Sequence, residues 1–439
     1  MERVTWRQLA VLLAIAFVLR LAAGWVWQSR LDGHFGMGDT ESYWSLGKAI
    51  AQGQPYEYGE NHARVFRTPG YPVLLAPIFW LTDDGRTAVF LGRAEAALFG
   101  TLAVLGVWWL TRLLFDDRAA LAAAALATFY PGAIALGVLL LSEAPFCPLM
   151  LLQLALWIVA WKAPSAGRRT LWGFGAGLAA GAATLMRPSW LLFTPFAVAV
   201  GMVVGRKNSQ CLAAAGTAVQ TDCRPSNGDA GITRHGCIAF WMFFGLAAAM
   251  LPWWIRNACV TGHFVPTTLQ VGASLYDGLN PHATGASNMD FVQRFETEER
   301  RAEMESQGDL KESLELRLDR RMRDDALAWA RANPGRALQL AGVKFLRMWN
   351  VWPNEPRLSD SWLAGGAVFF TYTPLLILAI IGAWRTVGRG WPYMLCCLPA
   401  VYLTLLHVVF VSSIRYRDPA MLALLALAAG GGLWRRKKG

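Results

Sequence analysis

LAVLLAIAFVLRLAAGWVW, residues 9–27, decides the fold class. A helix needs roughly 20 consecutive apolar residues to cross a bilayer. This run supplies that length with one interruption, Arg20. It outruns the apolar core of a cleavable secretion signal. Arg3 and Arg7 precede it, which puts the N-terminus on the cytoplasmic side. The run reads as a retained first span.

Runs of similar length lie near 87–110, 119–140, 143–161, 170–186, 189–205, 238–254, 363–384, 391–411 and 418–434. Composition agrees. Only 16% of residues are charged, against about 25% in soluble domains, which excludes an ordinary soluble enzyme. The expectation is an all-α polytopic membrane protein of about ten transmembrane helices. An even number of spans returns both ends of the chain to one side. Alternate loops then carry Arg112 and Arg118; Lys162, Arg168 and Arg169; Arg206 and Lys207; Arg385 and Arg389; and Arg435, Arg436, Lys437 and Lys438. All fall on the side of Arg3, as the positive-inside rule requires. The net charge of +11 is therefore read as topology and attraction to membrane lipids, and no nucleic-acid partner is expected.

The chain divides into an N-terminal transmembrane module (1–254), a periplasmic segment (255–360) and C-terminal transmembrane helices (361–439). The module holds an outward loop at 30–85 and a polar cytoplasmic insertion at 206–237. Tyr71–Leu81, bracketed by Pro69, Pro72 and Pro77, is too short to cross and reads as an interfacial helix. Residues 290–332 are highly charged and read as water-exposed helix, broken at Asn333-Pro334. A second amphipathic stretch, 336–349, lies on the membrane. Seven cysteines with no Cys-x-x-Cys pair give neither a disulfide framework nor a zinc template. Cys211, Cys223, Cys237 and His235 are expected to be unligated.

The outward side gathers the unusual polar residues. Asp39 and Glu41 stand in GDTESYW, Arg67 in FRTPGYP, and Glu143 in LLSEAPF. Arg187 stands in LMRPSW, Arg256 in LPWWIRN, and Arg415 and Tyr416 in SSIRYRDP. Arginine at the ends of outward hairpins opposes the topological trend, and such groups persist where they pair or bind something. Carboxylates facing several arginines suit a phosphate together with a hydroxyl nucleophile. Structural roles stay open beside this. Asp39 can cap a helix, Glu143 can cap or pair with an arginine, and Arg187 and Arg415 can be snorkelling anchors. Arg93 and Glu95 are expected to be structural, paired with neighbours or with Arg20, and His407 to be a hydrogen-bonded core residue.

At these motifs the chain resembles the GT-C superfamily of integral-membrane glycosyltransferases. The branch resembled contains the protein O-mannosyltransferases and the lipid A aminoarabinose transferase. GDTESYWSLGKAIAQGQPY and FRTPGYPVLLAP resemble its first outward loop, an acid opening an interfacial helix followed by Arg-x-Pro-x-Tyr-Pro. LLSEAPF resembles its acidic span start, and LMRP, LPWWIRN and RYRDPAMLALLAL resemble its arginine-bearing hairpins. ANPGRALQLAGVKFLRMWNVW resembles the stretch before its last spans. The resemblance implies a GT-C-like bundle in a bacterial cytoplasmic membrane, with the active site facing the periplasm. It implies inverting sugar transfer from a polyprenyl-phosphate donor to an envelope lipid, glycan or protein. Asp39, with Glu41 and Glu143, would be the catalytic carboxylates. Arg187, Arg256, Arg415, Tyr416 and Arg67 would hold the donor phosphate, and Tyr43 and Tyr71 would contact acceptor or sugar. Members differ in metal dependence, so a divalent cation stays open and no other cofactor is called for. Thr40 separates Asp39 from Glu41 where members often carry adjacent acids. The competing class is a flippase or transporter of a lipid-linked or anionic solute, which would place its charges near mid-membrane and show inverted repeats.

Overall fold

The computed structural model describes residues 2–31, 35–36, 38–214, 227–306, 312–354 and 362–433. Among these residues there is no strand, only an isolated bridge between Tyr58 and Ala63. The chain is an all-α membrane protein. Helix α1 is Glu2–Gln28; α2, α3 and α4 are Gly38–Ala51, Gly70–Leu75 and Ile78–Leu81; α5 is Gly85–Leu114. They are followed by α6 (Asp117–Phe129), α7 (Pro131–Leu136), α8 (Glu143–Lys162), α9 (Ala166–Met186), α10 (Phe193–Ala214) and α11 (Asn227–Thr261). Next come α12 (Val271–Gly278), α13 (Phe291–Glu305), α14 (Leu314–Ala332) and α15 (Pro334–Trp349). The described chain closes with α16 (Trp362–Thr386), α17 (Trp391–Leu395), α18 (Leu398–His407) and α19 (Asp418–Leu427).

Five helices among the described residues are long and apolar enough to cross a membrane: α1, α5, α8, α11 and α16. Their burial sorts them. The apolar stretch of α8 is 72% buried, whereas those of α1 and α16 are 22% buried. Helix α8 is therefore the centre of the bundle, and α1 and α16 are its rim. Trp25, Phe240, Phe370 and Trp384 are exposed. A soluble protein rarely leaves so much apolar surface open; acyl chains cover it here.

Several expected spans are interrupted. The run at 119–140 is two helices, because Pro131 starts a new one after Tyr130. That break leaves the last carbonyls of α6 without helical partners. Arg20 fills the gap: its guanidinium donates to Ala127 O (3.0 Å) and Thr128 O (3.5 Å). It lies in a slot that only glycine permits at position 100, where a Cβ would stand 2.7 Å from Arg20 Cδ. Arg20 thus pairs with neither Arg93 nor Glu95, contrary to one expectation. Arg93 donates instead to Gln28 Oε1 and Val138 O. The run at 391–411 is likewise split, into α17 and α18, with Pro399 opening the second.

The expected insertion at 206–237 is shorter in the structure, since α10 continues to Ala214 and α11 begins at Asn227. Cys223 lies outside the described residues, as does the placement of the Cys211 side chain. Cys237 is a free thiol, and His235 packs between Trp161 and Trp391. Helix α11 also runs past 254 to Thr261.

The charged 290–332 stretch folds as α13 and α14, joined by Arg317 and Arg321 on Glu299 at 3.1 and 3.0 Å. Asn333-Pro334 separates α14 from α15 as expected. Lys344 of α15 is buried and donates to Gly278 O (2.8 Å) and Val409 O (2.7 Å). This ties α15 to the end of α12 and to the loop after α18.

Two outcomes follow. Arg20→Met should lower stability by about 1–3 kcal/mol, because it leaves buried carbonyls unpaired; unfolding in lipid nanodiscs measures this. Burial lowers the Lys344 ammonium from 10.5 to about 8, against the opposing pull of Asp277. Between those values the unfolded chain binds more protons than the folded one, so stability rises with pH. Tm should climb across about pH 8 to 10.5, and Lys344→Met should flatten that slope.

Candidate active site

Local sequence explains how each charged side chain is presented. Asp39 lies in the first turn of α2 and Glu143 in the first turn of α8. Both carboxylates occupy helix N-termini, where the backbone dipole favours negative charge. Arg187 follows the last residue of α9 and precedes Pro188. A residue before proline is pushed out of the helical region, and Arg187 is extended (φ −137°, ψ 101°). Arg415 sits in a short 3-10 turn, Ile414–Tyr416, capped by Ser413. Gly70 brings FRTPGYP against the end of α9: a Cβ there would stand 2.6 Å from Leu185 O. Any larger residue would push Arg67 away from the α8–α9 hairpin.

The four stretches converge. Arg187 Nη1 lies 2.7 Å from Glu143 Oε1. Arg415 Nε lies 3.1 Å from that same oxygen, and its Nη2 lies 3.6 Å from Asp39 Oδ2. Arg415 therefore stands between the two carboxylates. Arg67 ends an open ring of charges that runs Arg187–Glu143–Arg415–Asp39–Arg67, with its Nη2 donating to Asp39 Oδ1 at 2.7 Å. Glu143 is almost fully buried, at 3% exposure, while Asp39 is 43% exposed. The inner acid is a structural anchor and the outer one can meet a ligand. The carboxylate of Asp39 turns to Arg67 and Arg415, which explains why position 39 holds an acid beyond any capping role.

Electrostatics favour this arrangement. Burial works against the charge of Arg415, but Glu143, Tyr416 and Asp39 outweigh it and hold the guanidinium more firmly protonated than usual. Arg67 behaves alike, with Tyr43 and Asp39 opposing the effect of burial. Three guanidiniums against two paired carboxylates leave one positive charge unmatched. Such a site accepts an anion, and bidentate forks suit phosphate oxygens.

Aromatic rings set the arginines in place. Arg187 and Arg415 lie 5.2 and 5.1 Å from the Tyr416 ring centre. His407 stacks on the Tyr416 ring at 4.1 Å, with its Nδ1 2.8 Å from Val411 O. It is the hydrogen-bonded core residue expected, and it also fixes Tyr416. Arg67 lies over Tyr43 at 5.0 Å. The Tyr43 hydroxyl donates to Ser142 Oγ, and its ring meets Tyr71 at 5.3 Å. Tyr43 and Tyr71 are buried behind the arginines.

Two sequence candidates stand apart. Glu41 is exposed and makes no ion pair among the described residues. Burial first, then Glu41, raises the Tyr58 phenol above its ordinary value, so Glu41 faces the Tyr58 loop. Arg256 stands outside the ring, because its guanidinium is used by backbone carbonyls. It donates to Arg64 O (2.8 Å) and Tyr56 O (3.4 Å) and stacks on Trp253. Other residues entered unforeseen. Ser42 Oγ and Gln270 Oε1 each accept from Arg67 at 3.0 Å. Ser42 follows Asp39 by one helical turn and was within reach of sequence reasoning. Gln270 lies 203 residues from Arg67 and carried no local signal.

A divalent cation fits this set poorly. The carboxylates are already paired with arginines, and the surplus charge is positive. Among the described residues no group of three metal-ligating side chains forms.

Comparison with known proteins gives one family-model match and likenesses to solved structures. Residues 66–219 match the family model described as dolichyl-phosphate-mannose-protein mannosyltransferase. The structure overlays the archaeal oligosaccharyltransferase AglB from Archaeoglobus fulgidus, in complex with an inhibitory peptide and a dolichol-phosphate. The TM-score is 0.60 at 17% identity, covering 98% of this chain and 50% of that one. The apo form of the Archaeoglobus fulgidus enzyme overlays at 0.56, with 17% identity and coverage of 97% and 50%. ArnT from Cupriavidus metallidurans bound to undecaprenyl phosphate overlays at 0.45, with 16% identity and coverage of 96% and 77%. The chain spans about half the length of the oligosaccharyltransferase structures it matches. No curated protein sequence matches it.

The ring makes a prediction free of any assay of function. Glu143→Ala strands two buried guanidiniums and should destabilise the protein by about 3–5 kcal/mol. Asp39→Asn, at a half-exposed pair, should cost no more than about 1 kcal/mol. Thermal unfolding of the two variants separates the inner anchor from the outer acid.

Proposed function

We propose that the chain is a GT-C integral-membrane glycosyltransferase that catalyses inverting sugar transfer from a polyprenyl-phosphate donor. The acceptor is an envelope lipid, glycan or protein at the outer face of a bacterial cytoplasmic membrane. One observation carries this reading: Arg415 stands between Asp39 and Glu143, with Arg187 and Arg67 on the outer flanks. Carboxylates and guanidiniums face each other across a site that carries a surplus positive charge. In this reading the 30–85 loop and the 255–360 segment face the periplasm, and both ends of the chain face the cytoplasm.

The donor's isoprenoid stays among the acyl chains and its phosphate enters the ring. Phosphate oxygens take the forks of Arg187 and Arg415. The Tyr416 hydroxyl accepts from Arg415 at 3.4 Å, which leaves its own proton free to donate to phosphate. The acceptor hydroxyl approaches from the Asp39 side. As its oxygen bonds to the anomeric carbon, its proton passes to the Asp39 carboxylate. The carbon–oxygen bond to phosphate breaks, and the electron pair leaves with the phosphate, whose arginines stabilise the new charge. A weakly basic leaving group needs no general acid. Attack opposite the departing phosphate inverts the anomeric centre. Buried Glu143 keeps Arg187 and Arg415 aimed at the site. Arg256 lies outside the ring, its guanidinium taken up by the carbonyls of Arg64 and Tyr56.

A transporter is less well served by these residues. The paired charges sit at helix ends, and Arg20 and Arg93, two guanidiniums well inside spans, are spent on backbone carbonyls and an amide.

Asp39→Asn should lower transfer at least about 1000-fold, the scale of losing a general base together with its positioning, while undecaprenyl phosphate still binds. Arg415→Ala should weaken that binding by about 10-fold or more, the scale of one charge-assisted hydrogen bond to phosphate. Labelled undecaprenyl-phospho-sugar turnover and undecaprenyl phosphate binding in nanodiscs measure these. Near-normal turnover in the asparagine variant removes Asp39 from the mechanism.

A further inference from the structure

Among the described residues of the 262–349 segment, the side chain of Gln270 touches the site. Its amide oxygen accepts from Arg67 Nη1 at 3.0 Å, while Arg67 Nη2 holds Asp39 at 2.7 Å. A guanidinium has donors only, so the amide must present its oxygen to Arg67 and turn its NH2 group the other way. Among the described residues that NH2 group has no hydrogen-bond partner, and Gln270 is half-buried. Two free N–H donors therefore stand one guanidinium away from the outer carboxylate.

The position is built with care. Leu269 N donates to Val65 O at 2.9 Å, which pairs the residue before Gln270 with the Arg67 loop. Glu315 of α14 accepts from the backbone N–H of Arg64 (2.9 Å) and Val65 (3.0 Å). Asp319, one turn on, accepts from Gly272 N at 2.7 Å. Helix α14 thus clamps the chain on both sides of the Arg67–Gln270 contact. Four polar tethers hold a side chain whose one hydrogen-bond partner among the described residues is an arginine of the ring.

We infer that Gln270 is an acceptor-binding residue: its oxygen holds Arg67 on Asp39, and its N–H pair receives an oxygen of the acceptor. This rests on the proposed glycosyl transfer. The side is chosen by geometry. Arg187 and Arg415 meet at Glu143 and form the phosphate end, whereas Arg67, Asp39 and Gln270 form the end from which the nucleophile approaches. A hydroxylated acceptor offers an oxygen next to the one that Asp39 deprotonates.

Two substitutions separate the roles. Gln270→Glu keeps an oxygen for Arg67 and removes both donors. Gln270→Met removes the oxygen as well. The assay is initial-rate transfer from a labelled undecaprenyl-phospho-sugar into titrated envelope membranes, with undecaprenyl phosphate binding measured in parallel on the full-length protein. Gln270→Glu should raise the amount of membrane needed for half-maximal rate by about 3- to 10-fold, the scale of one lost hydrogen bond. Its carboxylate also cancels the surplus positive charge, so donor binding weakens as well, and the neutral variant is the control for that. Gln270→Met, which adds no charge, should show the same rise, keep donor KM and undecaprenyl phosphate binding within about twofold, and lose about 10-fold in kcat because Arg67 is no longer aimed. Half-saturation unchanged in Gln270→Glu overturns the inference, as does an effect confined to donor KM or undecaprenyl phosphate binding. If the wild type transfers nothing while it binds undecaprenyl phosphate, the glycosyl-transfer reading has failed and acceptor binding by Gln270 falls with it.

Discussion

Everything at the site depends on keeping charge at the end of a membrane-embedded bundle. A buried carboxylate without a partner is costly, and so is a buried guanidinium. Glu143 and Arg415 solve this for each other, and Arg187 and Arg67 extend the solution outward. The arrangement is asymmetric. The inner acid is sealed and the outer one is accessible, so a ligand can exchange for the weaker outer contact, Arg415 to Asp39 at 3.6 Å, without unpairing the inner one. A resting site that is paired and still carries a positive surplus is ready for an anion and stable without it.

The bundle is arranged to hold that ring. Its central helix, α8, begins at Glu143, and its most buried terminal element begins at Asp418. Tyr130 donates to Asp418 at 2.5 Å, and Arg417 packs over Tyr372 while donating to Met348 O. The turn that carries Arg415 is therefore pinned from below. Arg20 and Lys344 do similar work elsewhere, each a buried cation consumed by backbone carbonyls. Helices interrupted by proline leave carbonyls without partners, and long cationic side chains reach them. The 262–349 segment is tied to the Arg67 end of the site through the Glu315 and Asp319 clamp.

Much of this is legible in the sequence. Apolar run length marks a membrane protein, and FRTPGYP, LLSEAPF, LMRP and RYRDP carry the resemblance to a superfamily of membrane glycosyltransferases. Asp39, Glu143, Arg187, Arg415 and Arg67 stood out because charges at those helix ends are expensive unless paired. Helix continuity was harder to read. Hydropathy averages over a window, so it missed the breaks at Tyr130-Pro131 and at 396–397, where tertiary partners satisfy the freed backbone. Arg256 carried the same signal as Arg187, an arginine beside an apolar run, yet its guanidinium is taken up by two carbonyls of the first loop.

What the amino-acid order determined alone is the solvent and the chemistry. Runs of about 20 apolar residues have one favourable environment, and acids with arginines at their ends have few reasons to persist there. What only the tertiary structure decided is who meets whom. Arg415 choosing two carboxylates, Glu41 left outside, and Gln270 reaching Arg67 across 203 residues depend on distances between segments that no local pattern encodes. Pairing energy falls steeply once charges separate, so membership in the site is a property of the packed bundle.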